Sequence, residues 1–79
     1  MVQYKFSSRC LYSRRGEDCF YVDVYYKEKR FAIADVVINE WFGYERVEIM
    51  YYAKKDSIPN FSEKELEEQI KEYCYSQMV

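Results

Sequence analysis

The 79-residue sequence has no histidine, one proline, two glycines and three alanines. Without histidine there is no Ser-His-Asp or Cys-His catalysis, no imidazole metal site and no side chain that switches charge near neutral pH. No stretch approaches the roughly 18 apolar residues that a membrane-spanning helix requires. A phosphate-binding loop, a dinucleotide fingerprint, a metal-spaced carboxylate set and a C-x-x-C pair are all missing. The formal net charge of −2 gives no bulk attraction for nucleic acid or an anionic membrane. What the chain has in excess is aromatic: ten tyrosines and five phenylalanines within a 49% hydrophobic composition. A chain of this length forms one small domain, spanning 1–79, that buries roughly 60% of its unfolded surface.

Cys10, Cys19 and Cys74 are odd in number and have no histidine to complete a zinc site. They read as reduced thiols used as small apolar residues, because no base is in sight to depress a thiol pKa. The start, Met1-Val2-Gln3-Tyr4-Lys5-Phe6, lacks the apolar run and small-residue cleavage site of a signal peptide. A cytoplasmic protein with no metal or other cofactor is expected.

Two periodicities divide the chain. Alternation of period two runs to about Lys54, and a helical period begins at Ser62. In the first segment Tyr4, Phe6, Ser8 and Cys10 share one face. In the second, Phe20, Val22, Val24 and Tyr26 do so. A three-residue hairpin loop, Arg14-Arg15-Gly16, pairs Cys10 with Phe20, Ser8 with Val22 and Phe6 with Val24, which puts both apolar sets on the same side. Cys10 and Cys19 then fall on opposite faces. Residues 30–42 carry both a helical stripe (Phe31, Ala34, Val37, Ile38, Trp41) and a β-branched run (Ile33, Val36, Val37, Ile38). The strand reading is favoured. A two-residue Phe42-Gly43 turn would pair Trp41 with Tyr44, Ile38 with Val47 and Val36 with Ile49. The connection through Lys27-Glu28-Lys29-Arg30 has neither glycine nor asparagine, and its register stays open. Pro59 sits in a polar crossing, 55–61. Ser62 and Glu65 form a capping box, Phe61 and Leu66 a hydrophobic staple, and Leu66, Ile70, Tyr73 and Cys74 a stripe. The expected fold is α+β: a four-stranded antiparallel meander with a C-terminal helix packed on one face, ββββα, with strands at about 3–13, 18–27, 30–40 and 44–54 and a helix at 62–77.

One helix covers one side of such a sheet, and the other side of an antiparallel sheet is normally polar. Here that side carries Leu11, Cys19, Tyr21, Tyr25, Phe31, Ile33, Val37, Trp41, Met50 and Tyr52, with Arg9, Asp23, Asp35, Arg46 and Glu48 among them. Tyrosine, tryptophan, methionine and arginine are the types enriched at interfaces and hot spots. A partner-binding face centred on Tyr21, Tyr25, Trp41, Arg46 and Tyr52 is therefore expected. The competing reading is a strongly twisted sheet that shields these residues itself. Three classes of function are weighed: a non-enzymatic module that binds another protein or a second copy of itself through this face, a single-stranded nucleic-acid binder that stacks bases on the tyrosines, and a small homodimeric structural subunit. An enzyme is the weakest candidate, since pairs such as Glu45/Glu48 and Glu67/Glu68 read as surface and helix-dipole carboxylates.

Charge is unevenly placed. Residues 1–30 hold seven basic and four acidic side chains, and residues 62–79 hold five acidic and two basic. In size, acidity and lack of catalytic groups the chain is similar to small accessory proteins of bacteriophages and mobile elements. Some of these, such as anti-CRISPR proteins, inhibit a host protein by covering a surface. No motif carries that comparison, and no site residue is taken from it.

Overall fold

The computed structural model describes residues 2–78, so Met1 and Val79, the two ends of the expected domain, lie outside the described residues. Four strands, β1 (Lys5–Arg14), β2 (Glu17–Tyr26), β3 (Lys29–Asn39) and β4 (Tyr44–Tyr51), form one antiparallel sheet in the order β1-β2-β3-β4. A short 3-10 turn (Lys55–Ser57) leads to the single helix α1 (Glu63–Gln77). This is the ββββα architecture expected from the two periodicities, and residues 30–39 take the β-branched option.

Helix α1 begins where the sequence signals it. The Ser62 Oγ accepts a hydrogen bond from the Glu65 amide at 3.3 Å, satisfying one of the free donors of the first turn. The reciprocal half of the expected capping box is absent: the Glu65 carboxylate accepts instead from the Val2 amide at 3.3 Å and from Gln69 at 3.4 Å. That choice ties the N-terminal segment to the helix. Leu66, Ile70 and Cys74 are completely buried and pack on Phe20, Val22, Val24, Ala32, Ala34, Val36 and Ile38. Small alanines on β3 let the helix sit close, and aromatic side chains fill the periphery. Tyr4, Phe6, Tyr26, Tyr51, Phe61 and Tyr73 all pack against this core.

The registers hold three surprises, each with a local cause. The first hairpin turns in two residues, with Arg15 at φ 53° and Gly16 at φ 74° and Arg14 opposite Glu17. Two consecutive left-handed residues give the turn whose twist matches a hairpin. The Cys10–Phe20, Ser8–Val22 and Phe6–Val24 pairs nevertheless occur as expected, because a bulge at Leu11 adds back the residue that the shorter turn removes. Beyond the bulge Tyr12 pairs with Cys19, which moves its ring to the outer face.

The second hairpin also turns in two left-handed residues, Lys27 (φ 48°) and Glu28 (φ 67°). A bulge follows, with Val24 opposite Ala32 but Tyr25 opposite Arg30. Phe31 is the extra residue. It was expected on the outer face, but the bulge turns it inward, where it is buried with ring centroids 5.5 Å from Tyr51 and 5.8 Å from Phe61.

The third connection corrects the expected Phe42-Gly43 turn. Asn39, not Trp41, pairs with Tyr44, and Val36 pairs with Val47, so the strands are offset by two residues from the expected register. An offset of two leaves every side chain on its expected face, which is why the apolar patterning could not detect it. The loop is Glu40-Trp41-Phe42-Gly43. The Asn39 Oδ1 accepts from the Phe42 amide at 3.1 Å, and the Glu40 amide donates to the Gly16 carbonyl at 2.9 Å, which ties this loop to the first hairpin turn.

Candidate functional site

The outer face follows from these registers as cross-strand rows of side chains. Tyr12, Cys19, Val37 and Arg46 lie in register across the four strands; next come Arg9, Tyr21, Asp35 and Glu48, then Ser7, Asp23, Ile33 and Met50. Among the described residues no element crosses this side of the sheet. Its centre is nevertheless partly sheltered. Cys19 and Val37, short side chains on the central strands, are buried beside the longer Tyr12 and Arg46. Tyr25 and Ile33 are half-buried.

What stays exposed is large and apolar. Tyr21 is 38% exposed, Tyr52 53%, Leu11 48% and Met50 66%. Between the strands Tyr21, Ile33, Asp35, Glu48 and Met50 border a shallow depression of about 410 Å³.

The charges on this face are matched among themselves. The Arg46 guanidinium lies 3.4 Å from Glu48 and 3.8 Å from Asp35. The Arg30 guanidinium stands 3.9 Å from Asp23 and 5.7 Å from the Tyr52 ring centroid. Tyr25 and then Asp23 raise the Arg30 pKa, so its positive charge is held firmly beside them. Arg9 lies 5.9 Å from the centroid of the Tyr21 ring, its partner across the β1–β2 ladder. Each arginine is thus engaged by an acid or a tyrosine ring.

Of the five residues expected to bind a partner, Tyr21 and Arg46 share the middle of the face, both beside Asp35. Tyr25 and Tyr52 share the end nearest the Lys27-Glu28 turn, with Arg30 between them. Trp41 does not join them. Because β3 ends two residues before Trp41, the indole lies in the β3–β4 loop at the opposite end of a molecule that extends 39 Å. There it packs against Gly16 so closely that a methyl group at that position would overlap the ring. Arg14, Arg15, Glu17, Asn39, Trp41 and Phe42 border a second depression of about 400 Å³ at this pole.

Three rings had no place in the expected site. Phe42 is 83% exposed at the loop tip and Tyr44 is 51% exposed at the start of β4. The two-residue turn reading left Phe42 in the connection and set Tyr44 opposite Trp41 at the start of the fourth strand. Tyr12 reaches the outer face only through the Leu11 bulge, and its hydroxyl donates to Glu17 at 2.7 Å. No composition or spacing signal marks that bulge.

The three thiols are unbridged, and Cys19 Sγ donates to Asp35 Oδ1 at 3.9 Å. Cys19 and Cys74 are buried, and Cys10 is exposed on the opposite face from Cys19. Burial, reinforced by Asp35 nearby, raises the Cys19 pKa, and burial alone pushes Cys74 up to about 11. Both are thiols rather than thiolates at neutral pH. Among the described residues no group of three Cys, Asp or Glu side chains is placed to hold a metal ion, and no helix is long and apolar enough to cross a membrane. No protein-family model matches the chain, and neither a curated protein nor a solved structure matches it.

Proposed function

We propose that this chain is a non-enzymatic protein-binding module whose outer sheet face docks on another protein and acts by covering that partner's surface. The observation that carries the reading is the exposure of Tyr21, Tyr52 and Met50 on a face that no described element covers. Rigid aromatic side chains of this kind supply large contact area at low entropic cost and dominate interface energetics. The depression bordered by Tyr21, Ile33 and Met50 is the natural receptor for one apolar side chain of the partner.

Charge favours protein over single-stranded nucleic acid. A base-stacking sheet needs free cations beside its aromatics to take the phosphates. On this face Arg30 and Arg46 are held by Asp23, Asp35 and Glu48, and acids alternate with bases.

The test is the double variant Tyr21→Ser, Tyr52→Ser, used as bait beside the wild type in affinity capture from the source cell. The expected result is a partner retained by the wild type and lost by the variant, with the far-UV circular dichroism and melting temperature of the bait unchanged. A partner retained equally by both would overturn the reading. Titration with short single strands at low salt decides the nucleic-acid alternative, since such binding is tight at low salt and falls steeply as salt rises.

A further inference from the structure

The sheet has two edges, and they are built differently. The β1 edge is interrupted by the Leu11 bulge and carries Lys5, Arg9 and Arg14. Bulges and basic side chains are the usual devices that stop an edge from pairing with another chain. The β4 edge has no bulge: its eight residues pair with β3 in one unbroken register. Among the described residues no strand lies beyond it.

The direction of the free backbone groups on β4 can be deduced. In an antiparallel ladder each residue points its N–H and C=O to the same side, and successive residues alternate. The Tyr52 amide donates to the Phe31 carbonyl at 2.9 Å, so the even-numbered residues of β4 bond to β3. Glu45, Val47, Ile49 and Tyr51 therefore direct their N–H and C=O groups to the open edge. Their side chains lie on the helix side of the sheet, since Val47, Ile49 and Tyr51 pack on the core.

We propose that β4 pairs with β4 of a second copy of this chain, antiparallel and centred on Val47, to make an eight-stranded sheet. The two-fold then places Arg46 opposite Glu48 of the second copy twice over, and Tyr44 opposite Met50 twice over. This register satisfies both demands at once. Opposite charges face one another, and the two large exposed apolar side chains of the strand, Tyr44 at 51% and Met50 at 66%, cover each other. Centring on Glu48 would oppose two glutamates, and centring on Arg46 two arginines, which cross-strand pairs disfavour. Centring between residues would put inward side chains opposite outward ones. The Val47 register is the one self-complementary solution near the middle of the strand. A two-fold at that point keeps both helices on one side and joins the two outer faces into one surface. The inference rests on the free backbone groups of the β4 edge; its register takes Met50 from the outer face and leaves Tyr21 and Tyr52 to the docking surface.

Sedimentation velocity across a concentration series, with the wild type and four preparations, tests it. Wild type should move from monomer to dimer as concentration rises. Val47→Pro removes an amide that points to the open edge, not one used by β3, so the sheet tolerates it while the dimer is lost. Arg46→Glu and Glu48→Arg each put like charges across the interface in two places and should weaken self-association by about tenfold or more. An equimolar mixture of those two variants restores both opposite-charge pairs and should dimerise as well as the wild type. A wild type that stays monomeric at the highest soluble concentration would overturn the proposal. So would a dimer that survives Val47→Pro with its circular dichroism intact. Should Val47→Pro unfold, the mixing experiment decides alone, and failure of the mixture to restore the dimer rejects this register. Loss of the Tyr21 and Tyr52 rings leaves these outcomes unchanged, so failure of the edge and failure of the face are read separately.

Discussion

The two faces of this sheet draw on the same residue types and put them to opposite uses. On the helix side, Leu66, Ile70 and Cys74 press down between aromatic side chains, and every large side chain has a neighbour within the chain. On the other side, Tyr21, Met50 and Tyr52 stand at the surface, and Arg30 and Arg46 are paired with Asp23, Asp35 and Glu48. Tyrosine makes this division possible. Its ring packs like a hydrophobe and its hydroxyl bonds water or donates to a carboxylate, so the ten of them can be shared between a core and a surface. Residue type alone therefore does not distinguish core from outer face in this protein. Strand parity does.

That contrast can be broken most severely from the helix side. Leu66→Ala removes a completely buried side chain at the centre of the core. It should cost about 2–5 kcal/mol, measured by urea denaturation, because the rigid sheet opposite cannot collapse into the cavity. Gly16→Ala acts at the pole where the two faces meet. The added methyl meets the Trp41 ring and sits at φ 74°, and together these should cost about 1–3 kcal/mol.

A smaller effect is set by pH. The Tyr75 hydroxyl donates to Glu45, and this bond, with some burial, pushes its pKa up to about 12 from the usual 10.0. Tyr51 is raised in the same direction by burial and by its bond to Glu63 at 2.7 Å. A tyrosine whose folded pKa exceeds its unfolded value adds stability that is complete below pH 10 and is lost as pH rises toward 12. Alkaline melting curves should fall through that window, and Tyr75→Phe should flatten the fall. Glu63 has the opposite sign. The Tyr51 hydroxyl holds it below the usual 4.5, so its share is present at neutral pH and lost in acid. The smallest expected effect belongs to the outer face. Tyr21→Ser with Tyr52→Ser should shift stability by no more than about 0.5 kcal/mol, since exposed side chains away from caps and cores rarely do more. A large loss there would make the outer face a second core and erase the contrast.

Strand parity was legible because it is robust. The alternation of Phe20, Val22 and Val24 against Cys19, Tyr21 and Asp23 survives a turn one residue shorter than expected, so long as a bulge follows. It also survives the two-residue offset between β3 and β4. Helix α1 was legible from Ser62, Glu65 and the spacing of Leu66, Ile70 and Cys74, all of which act locally. The features that escaped are those where tertiary packing overrides local preference. Lys27 and Glu28 take left-handed backbone angles that favour glycine or asparagine, because the two strands they join are already committed to pairing. Phe31 turns inward at a bulge to reach Tyr51 and Phe61. Within the candidate site, Tyr21, Tyr25, Arg46 and Tyr52 were placed by parity alone. Trp41 was misplaced because the end of β3, not parity, decides where it goes.

Trp41 is also the only tryptophan in the chain, and it lies 69% exposed at the tip of the molecule, far from Leu66 and Ile70. Its fluorescence is therefore a report on one contact, the seating of the β3–β4 loop on the first hairpin turn. Emission from the native protein will be that of an indole in water. A change in it follows the parting of two loops and carries no information about the core, whose melting must be followed through the backbone or the tyrosines.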